Sequence, residues 1–448
     1  MMNTISVGLS PTIPEHLNPA ISYTLDEISV RIGHKLAMTG EDGADIVYGE
    51  DLFFDVECWD KCGSFHCQNG LWQNQSRRQV DLIGGVFRLL TLADEAGVTS
   101  RDLKGVFVTS DLPPPRKSAL RIPLVEHHAE VLRGQLSDRG LVPRKTVSPW
   151  PNELPFAAVL THDVDAVDFS APQEIMYNVA KAVLRNSRHH RKMVIDSLSA
   201  SVKGANNPFF AFDRWREIEQ PHLSAFYIFH RRTVKRHIND CRSTLFNRPV
   251  DWAFIRQMAE AGFEFGAHPS INAKESLDEF VAVKADIEEK LDQPIFGIRH
   301  HYWALDWRHP HKTWRKHVNA GFRYDSSIAW RDAAGFRAAT SLPYRPWDPV
   351  RQQALDIYIL PTSIMDGHVV GIADGWSQAL EVKRNAECVS GAVVLDWHSE
   401  TACNDYVYEG FLPSYQDLMK LLIESNAWVS TPWGLIKHWH MRRRTILQ

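Results

Sequence analysis

From residue 156 onward the chain repeats one theme: a short apolar, β-branched run, then a cluster of ionisable residues, then a segment with helical spacing. FAAVL (156–160) leads into Thr161, His162, Asp163, Val164 and Asp165; SAFYIF (224–229) leads into His230, Arg231 and Arg232. FEFGA (263–267) precedes His268, Pro269 and Ser270, and IFGI (295–298) precedes Arg299, His300, His301 and Tyr302. FRYDSSI (322–328) follows a helical stretch, IYIL (357–360) runs into Pro361 and Thr362, and AVVL runs into Asp396, Trp397 and His398. Seven such units in an alternating order predict an α/β fold with a parallel sheet, either open or closed as a barrel. The ionisable clusters sit at the carboxyl ends of the predicted strands, where barrel active sites are assembled, and this favours the barrel. No GxGxxG or P-loop signature follows any of the strands, which removes support for a nucleotide-cofactor fold.

Upstream, GLVPRKTVSPWPNELP (140–155) holds four prolines in sixteen residues and reads as a linker. The expected division is therefore 1–150, a small mixed α/β domain, and 151–448, the barrel. In the first region VDLIGGVFRLLTLADEA and PLVEHHAEVLRGQL have helical spacing, whereas ISVRI (28–32) and IVYGEDLFFDV (46–56) read as short strands. Glu126, His127 and His128 are consecutive and so point in different directions on a helix, which predicts surface histidines rather than a metal site.

The 448 residues carry 50 Lys and Arg against 54 Asp and Glu, a formal charge of -4, too balanced for an electrostatic reader of nucleic acid. The amino terminus lacks the basic and apolar segments of a secretory signal, and no run approaches a transmembrane span, so the expected location is the cytoplasm. Six cysteines are too few and too irregular for a disulfide scaffold. Cys58, Cys62, Cys67 and His66 could supply four zinc ligands between them, but their spacing matches no established zinc pattern, and a structural metal there is the minority expectation.

Asp163 and Asp165 are one residue apart, so in an extended segment both side chains emerge on one face. Such a pair can divide labour, one carboxylate binding a divalent metal and the other taking a proton from water; an Asx-rich helix cap is the alternative. His268 is a candidate second ligand, Arg299 a group able to orient a carboxylate bidentately, and His398 a general acid for a leaving amine. Each residue alone also has a structural explanation. Four such motifs at four strand ends converge on metal-assisted hydrolysis of an amide or ester.

THDVD, HPSIN, RHHY and LDWH resemble, in order and approximate spacing, the signature motifs of the polysaccharide deacetylases, carbohydrate esterase family four, over residues 156–440. GFRYDSSI, LPYRPWD and ILPTSIMDG are similar to a bacterial subgroup with an extra N-terminal domain, here residues 20–150. The resemblance implies a distorted (β/α)7 barrel that removes an N-acetyl group with water activated by a metal. It implies Asp163 as catalytic base, Asp165 and His268 as metal ligands with Asn272 at the third ligand position, Arg299 as tether of the base, the Tyr302 backbone N–H as an oxyanion donor and His398 as general acid. Three positions depart from the family pattern. The second metal histidine, four residues after the first, is Asn272, a poor ligand for zinc, the family's expected metal, for which His162, His300 or His301 are the available substitutes. Val164 replaces a second aspartate, and His301 replaces the proline before the tyrosine.

The expected substrate is an N-acetylated sugar, a precursor of surface polysaccharide. Trp303, Trp307, Trp330, Trp397 and Trp433 lie near or after predicted strand ends and offer platforms for sugar rings, although core packing explains any one of them. The basic run at 185–192 suits an anionic ligand or a solvated helix face equally. Two other classes compete: a metal-independent amide or cyclic-amide hydrolase, prompted by Asn272, and a carbohydrate-binding protein that keeps the barrel without catalysis.

Overall fold

The computed structural model describes residues 4–40, 43–59, 64–102, 105–144, 147–185, 187–203, 207–229 and 252–448; Cys62, Cys241 and the basic cluster at 230–232 lie outside them. In the first region β1 (Ile5–Leu9) lies between two parallel neighbours, β2 (Leu36–Met38) and β3 (Ile46–Tyr48). The helix Asn18–Ile32 crosses over from β1 to β2 and takes in Ile28–Ile32, the segment whose alternation reads as a strand. Helical spacing wins because Ile21, Leu25, Ile28 and Ile32 form one buried stripe. Arg31, which the strand pattern points at solvent, is instead buried between Glu27 (2.9 Å) and Glu126 (3.1 Å).

Cys58 is buried in the short helix Val56–Trp59, and Cys67 lies in β4 (Phe65–Gln68), which pairs antiparallel with β5 (Leu71–Asn74). Neither belongs to a convergent ligand group among the described residues. The surface expectation for His128 is wrong. On the helix Leu124–Asp138 it shares a face with Leu124, Val125, Ala129 and Leu132, and is fully buried. Its Nδ1 lies 2.7 Å from the Leu124 carbonyl, and burial pushes the imidazole pKa down to about 4.

The large sheet is parallel throughout. Its strands are β6 (Ala157–Val164), β7 (Ala225–Phe229), β8 (Glu264–His268), β9 (Gly297–Ile298) and β10 (Tyr324–Asp325). A separate hairpin follows, β11 (Trp347–Asp348) with β12 (Gln353–Ala354), then β13 (Tyr358–Ile359), β14 (Ile364–Met365), β15 (Ala392–Asp396) and β16 (Trp428–Ser430). The ladder runs β13-β10-β9-β8-β7-β6-β15-β14, so its two ends are strands that sit close together in sequence. The segment between them joins both edges. Leu360 N and Thr362 N donate to the carbonyls of Asp325 and Ile328 beside β10, each at 2.9 Å, and Ser363 N donates to Val394 on β15 at 3.1 Å. Residues 358–365 thus act as one stave, and the sheet curls into a distorted seven-stave barrel. Part of the distortion comes from β16, which pairs with Ala157–Val159 on β6, whereas β7 pairs from Thr161 onward.

Alternation along β6 sends Ala157 and Val159 to one apolar cluster, with Tyr227, Tyr324, Tyr358 and Val394, and Ala158 and Leu160 to the other. Helix Pro432–Leu447 contributes Leu435, Ile436 and Trp439 to the first of these. Gly297 is required by that packing, since a Cβ there would lie 2.1 Å from the Tyr324 ring.

The proline-rich stretch is irregular as expected, yet the regions on either side share a core. Buried ion pairs cross between them: Arg337 to Glu95 at 2.6 Å, and Arg443 to Glu27 at 2.7 Å. Glu126 accepts the backbone N–H of Ser341 at 3.0 Å.

Candidate active site

Parallel staves bring their carboxyl ends to one face, and register fixes what meets there. Asp163 stands opposite Tyr227, Phe229 opposite His268, and Asp396 opposite Thr161. Asp163, the last inward residue of β6, is buried, and its Oδ1 accepts from Arg299 Nη1 at 3.0 Å. The same nitrogen lies 3.0 Å from Asp396 Oδ1, without the alignment of a hydrogen bond. Arg299 is further fixed by Thr161 Oγ1 (2.8 Å) and Ser326 Oγ (3.1 Å), and its guanidinium covers the Tyr227 ring at 4.3 Å. Burial opposes its charge, but Asp396 and Asp163 more than compensate and raise its pKa further. Two carboxylates share one guanidinium here. Burial, reinforced by the charge of Asp163, pushes Asp396 up to about 8.

His268 closes β8. Its Nδ1 lies 2.7 Å from the Arg299 carbonyl oxygen, which can only accept, so Nδ1 carries the proton and Nε2 presents a lone pair. That Nε2 is 3.2 Å from Asp165 Oδ1, yet both atoms are buried without a hydrogen-bond partner. His301 Nε2 lies 3.2 Å from the other oxygen, Oδ2. The ligand atoms of Asp165, His268 and His301 all fall within 4.8 Å of one another. Burial raises the Asp165 pKa, but the two imidazoles override it and hold the carboxyl well below its ordinary range.

The second imidazole therefore comes from the loop after β9, not from the position four residues after His268. That position, Asn272, sits half-buried in the 3-10 turn Ile271–Glu275. Of the other two available histidines, His162 has Nδ1 3.0 Å from the Trp397 carbonyl and Nε2 2.9 Å from Glu219, on the outer side of β6. His300 turns to His317, at 2.9 Å. The turn carrying His301 is held in a left-handed backbone at Tyr302 (φ 56°) and Trp303 (φ 52°), a conformation uncommon for bulky residues and concentrated at functional sites. The Tyr302 side chain is exposed at the rim and lies tilted against the His301 ring, centroids 4.2 Å apart.

His398 follows β15 and faces Asp165 across the cleft, Nε2 to Oδ2 3.9 Å. Asp366 Oδ2, at the end of β14, accepts both the His398 backbone N–H (2.8 Å) and Nδ1–H (3.0 Å), so Nε2 is left toward the cleft. Burial lowers the imidazole pKa, but Asp366, then Asp165 and Asp396, raise it well above the ordinary histidine value.

These groups line a cleft of about 230 Å³ that includes Asp163, Asp165, His301, Tyr302, Asp396 and His398. Val106 from the first region, Trp303, Arg331 and Met365 complete its walls. Of the five tryptophans singled out in the sequence, only Trp303 is at the cleft; Trp307, Trp330 and Trp397 are core, and Trp433 stacks on Phe296. Sequence reasoning missed Asp366 and Asp396. Their signals are visible in retrospect: each carboxylate sits at the end of a short apolar run, in SIMDG and VVLDWH.

No family model and no curated protein matches the chain. Among solved structures, a protein from Mycobacterium smegmatis named as a polysaccharide deacetylase is similar at 16% identity, covering 68% of this chain and 96% of its own, with a TM-score of 0.41. One from Pseudomonas aeruginosa PAO1, also named as a polysaccharide deacetylase, is 14% identical, covers 68% of this chain and 97% of its own, and has a TM-score of 0.39.

Proposed function

We propose that the chain is a metal-assisted hydrolase of the polysaccharide deacetylase type, removing an N-acetyl group from an amino sugar in a saccharide precursor. The observation that carries this reading is the convergence of Asp165, His268 and His301 beside Asp163 on one side and His398 on the other. Two imidazoles and a carboxylate fit the donor set of catalytic zinc sites, which keep a position open for water or substrate. The unpartnered lone pairs of His268 Nε2 and Asp165 Oδ1 support a shared cation as their partner. A divalent cation, when bound there, supplies the charge that polarises an acyl oxygen and acidifies water.

The protein's own groups take the remaining roles. Asp163, kept in place by Arg299, accepts the proton of the attacking water. His398, kept protonated by Asp366, delivers a proton from Nε2 to the departing amine nitrogen. The backbone N–H of Tyr302 is the candidate donor to the oxyanion, and Arg299 and Asp366 are positioning residues. Trp303 and Tyr302 supply an aromatic wall for a sugar ring. No helix among the described residues is long and apolar enough to cross a membrane.

Metal content of the purified protein tests the reading independently of the substrate. After incubation with zinc, near-stoichiometric metal is expected in the wild type and its loss in Asp165→Ala, His268→Ala and His301→Ala, alongside acetate release from N-acetylglucosamine oligomers by the wild type alone. A wild type that retains no metal, or a His301→Ala protein that retains it in full, would overturn the assignment.

A further inference from the structure

The helical hairpin that follows the catalytic aspartates, Pro172–Leu184 and Arg188–Lys203, is inside out. Among the described side chains of its first helix every exposed one is apolar: Pro172, Met176, Val179, Ala180, Val183 and Leu184. Its carboxylate and amide face inward instead, Asn178 Nδ2 donating to Glu174 Oε1 at 2.9 Å with both residues buried. Positions 172, 176, 179 and 183 follow helical spacing and make one stripe, with Met176 71% and Val183 76% exposed. Ile195 and Leu198 on the second helix are also exposed. Single exposed apolar residues are ordinary, but a stripe of this length on a surface helix marks a contact site.

A second observation says what the partner is. Arg185, Arg188, His189, Arg191 and Lys192 cluster at the hairpin tip, beside the most exposed apolar residues, Val183 and Leu184. Four of these five open the second helix, where the helix dipole disfavours cations, so their placement lowers local stability unless negative charge lies opposite. Among the described residues Asp405 takes Lys192 at 2.8 Å, Glu409 adds its charge beside the same lysine, and Asp196, on the helix itself, takes the Tyr406 hydroxyl at 3.1 Å. Apolar residues flanked by an arginine and lysine cluster match a bilayer with anionic headgroups. A second copy of the chain brings the same positive tip rather than a negative one.

The hairpin also stands at the catalytic mouth. It follows Asp165 along the βα loop of β6, and through Lys192 and Asp196 it holds the loop after His398. We infer that the hairpin docks the protein on an anionic lipid surface, the apolar stripe entering the headgroup boundary and the basic tip meeting lipid phosphates, so that the cleft meets a saccharide held at that surface. The presentation of a saccharide rests on the proposed function; the docking does not.

The experiment is flotation of the full-length protein with vesicles of phosphatidylcholine alone and of phosphatidylcholine with phosphatidylglycerol. The protein is expected to float with the anionic vesicles and to leave them at high salt. Partition is expected to fall roughly tenfold or more in the Met176→Ser/Val183→Ser/Leu184→Ser variant and in Arg188→Glu/Arg191→Glu. Circular dichroism unchanged from wild type identifies these variants as folded. Absence of wild-type binding to anionic vesicles, or binding undiminished in both folded variants, overturns the inference. A wild-type dimer in sedimentation that the serine variant dissolves also overturns it and assigns the stripe to a second copy. Asp163→Asn is expected to float like the wild type, so a failure of the hydrolase reading leaves the vesicle result standing.

Discussion

Replacing Asp366 with asparagine tests the acid role of His398 without touching the ligands. The substitution keeps the size of the side chain and leaves an oxygen for the His398 backbone N–H, which Asp366 now holds at 2.8 Å. What it removes is the negative charge 3.0 Å from Nδ1, the leading influence that overcomes burial and lifts the imidazole pKa. An acid with a raised pKa stays protonated as pH climbs and is lost only when pH passes its folded value, so wild-type activity should persist above the ordinary histidine range. Without Asp366 the largest upward influence is gone, the pKa falls back toward the ordinary histidine range, and above that range little of the imidazole keeps its proton. Acetate release at pH 8 should then drop by roughly tenfold or more, while at pH 6, where an ordinary imidazole is still largely protonated, the loss is small. The assay is the pH profile of kcat/KM for both proteins, with metal content measured alongside. An alkaline limb that stays in place in Asp366→Asn, at unchanged metal content, would refute the role of His398 as the acid and of Asp366 as its support.

Asn272→Ala should retain metal while His301→Ala loses it, a contrast read by elemental mass spectrometry. Asp163→Asn should lower kcat by roughly 10²- to 10⁴-fold with metal retained, as expected for loss of a general base. Arg337→Met strands Glu95, whose Oε2 now lies 2.6 Å from the guanidinium, and should cost about 3–5 kcal/mol in urea unfolding, with Arg337→Met/Glu95→Gln recovering part of it. Gly297→Ala forces a methyl against the Tyr324 ring and should lower the melting temperature or prevent folding, with Tyr324→Leu in the same chain restoring room.

Much of the barrel was legible because each stave is announced twice, by an apolar run and by the ionisable cluster that ends it. β7, β8 and β15 match their predicted runs closely for that reason, whereas β6 runs on four residues past its apolar run, through the ionisable cluster to Val164. The segment 358–365 reads as one strand and a loop, since nothing local shows that Leu360 and Thr362 bond to one neighbour and Ser363 to the other. In the first region the sequence is less informative. β2 and β3 have three residues each, too short for a period to register, and ISVRI alternates like a strand while lying on a helix whose stripe begins seven residues earlier, at Ile21. The surface expectation for His128 fails because its place in the chain next to His127 says nothing of the helix face, shared with Leu124 and Leu132, that carries it into the core.

The site shows why a motif and a metal centre are different kinds of statement. A motif places the second histidine by counting from the first, because in its usual form both project from one turn. A cation needs donor atoms at a distance, and any loop that reaches the mouth of a barrel can supply them. The turn after β9 carries His301 to within 3.2 Å of Asp165, and the left-handed backbone at Tyr302 and Trp303 fixes the chain's exit from that position. On the proposed reading, Asn272 where the resemblance expects a histidine and His301 where it expects a proline are one exchange, an imidazole absent from one loop and present in its neighbour, facing the same carboxylate.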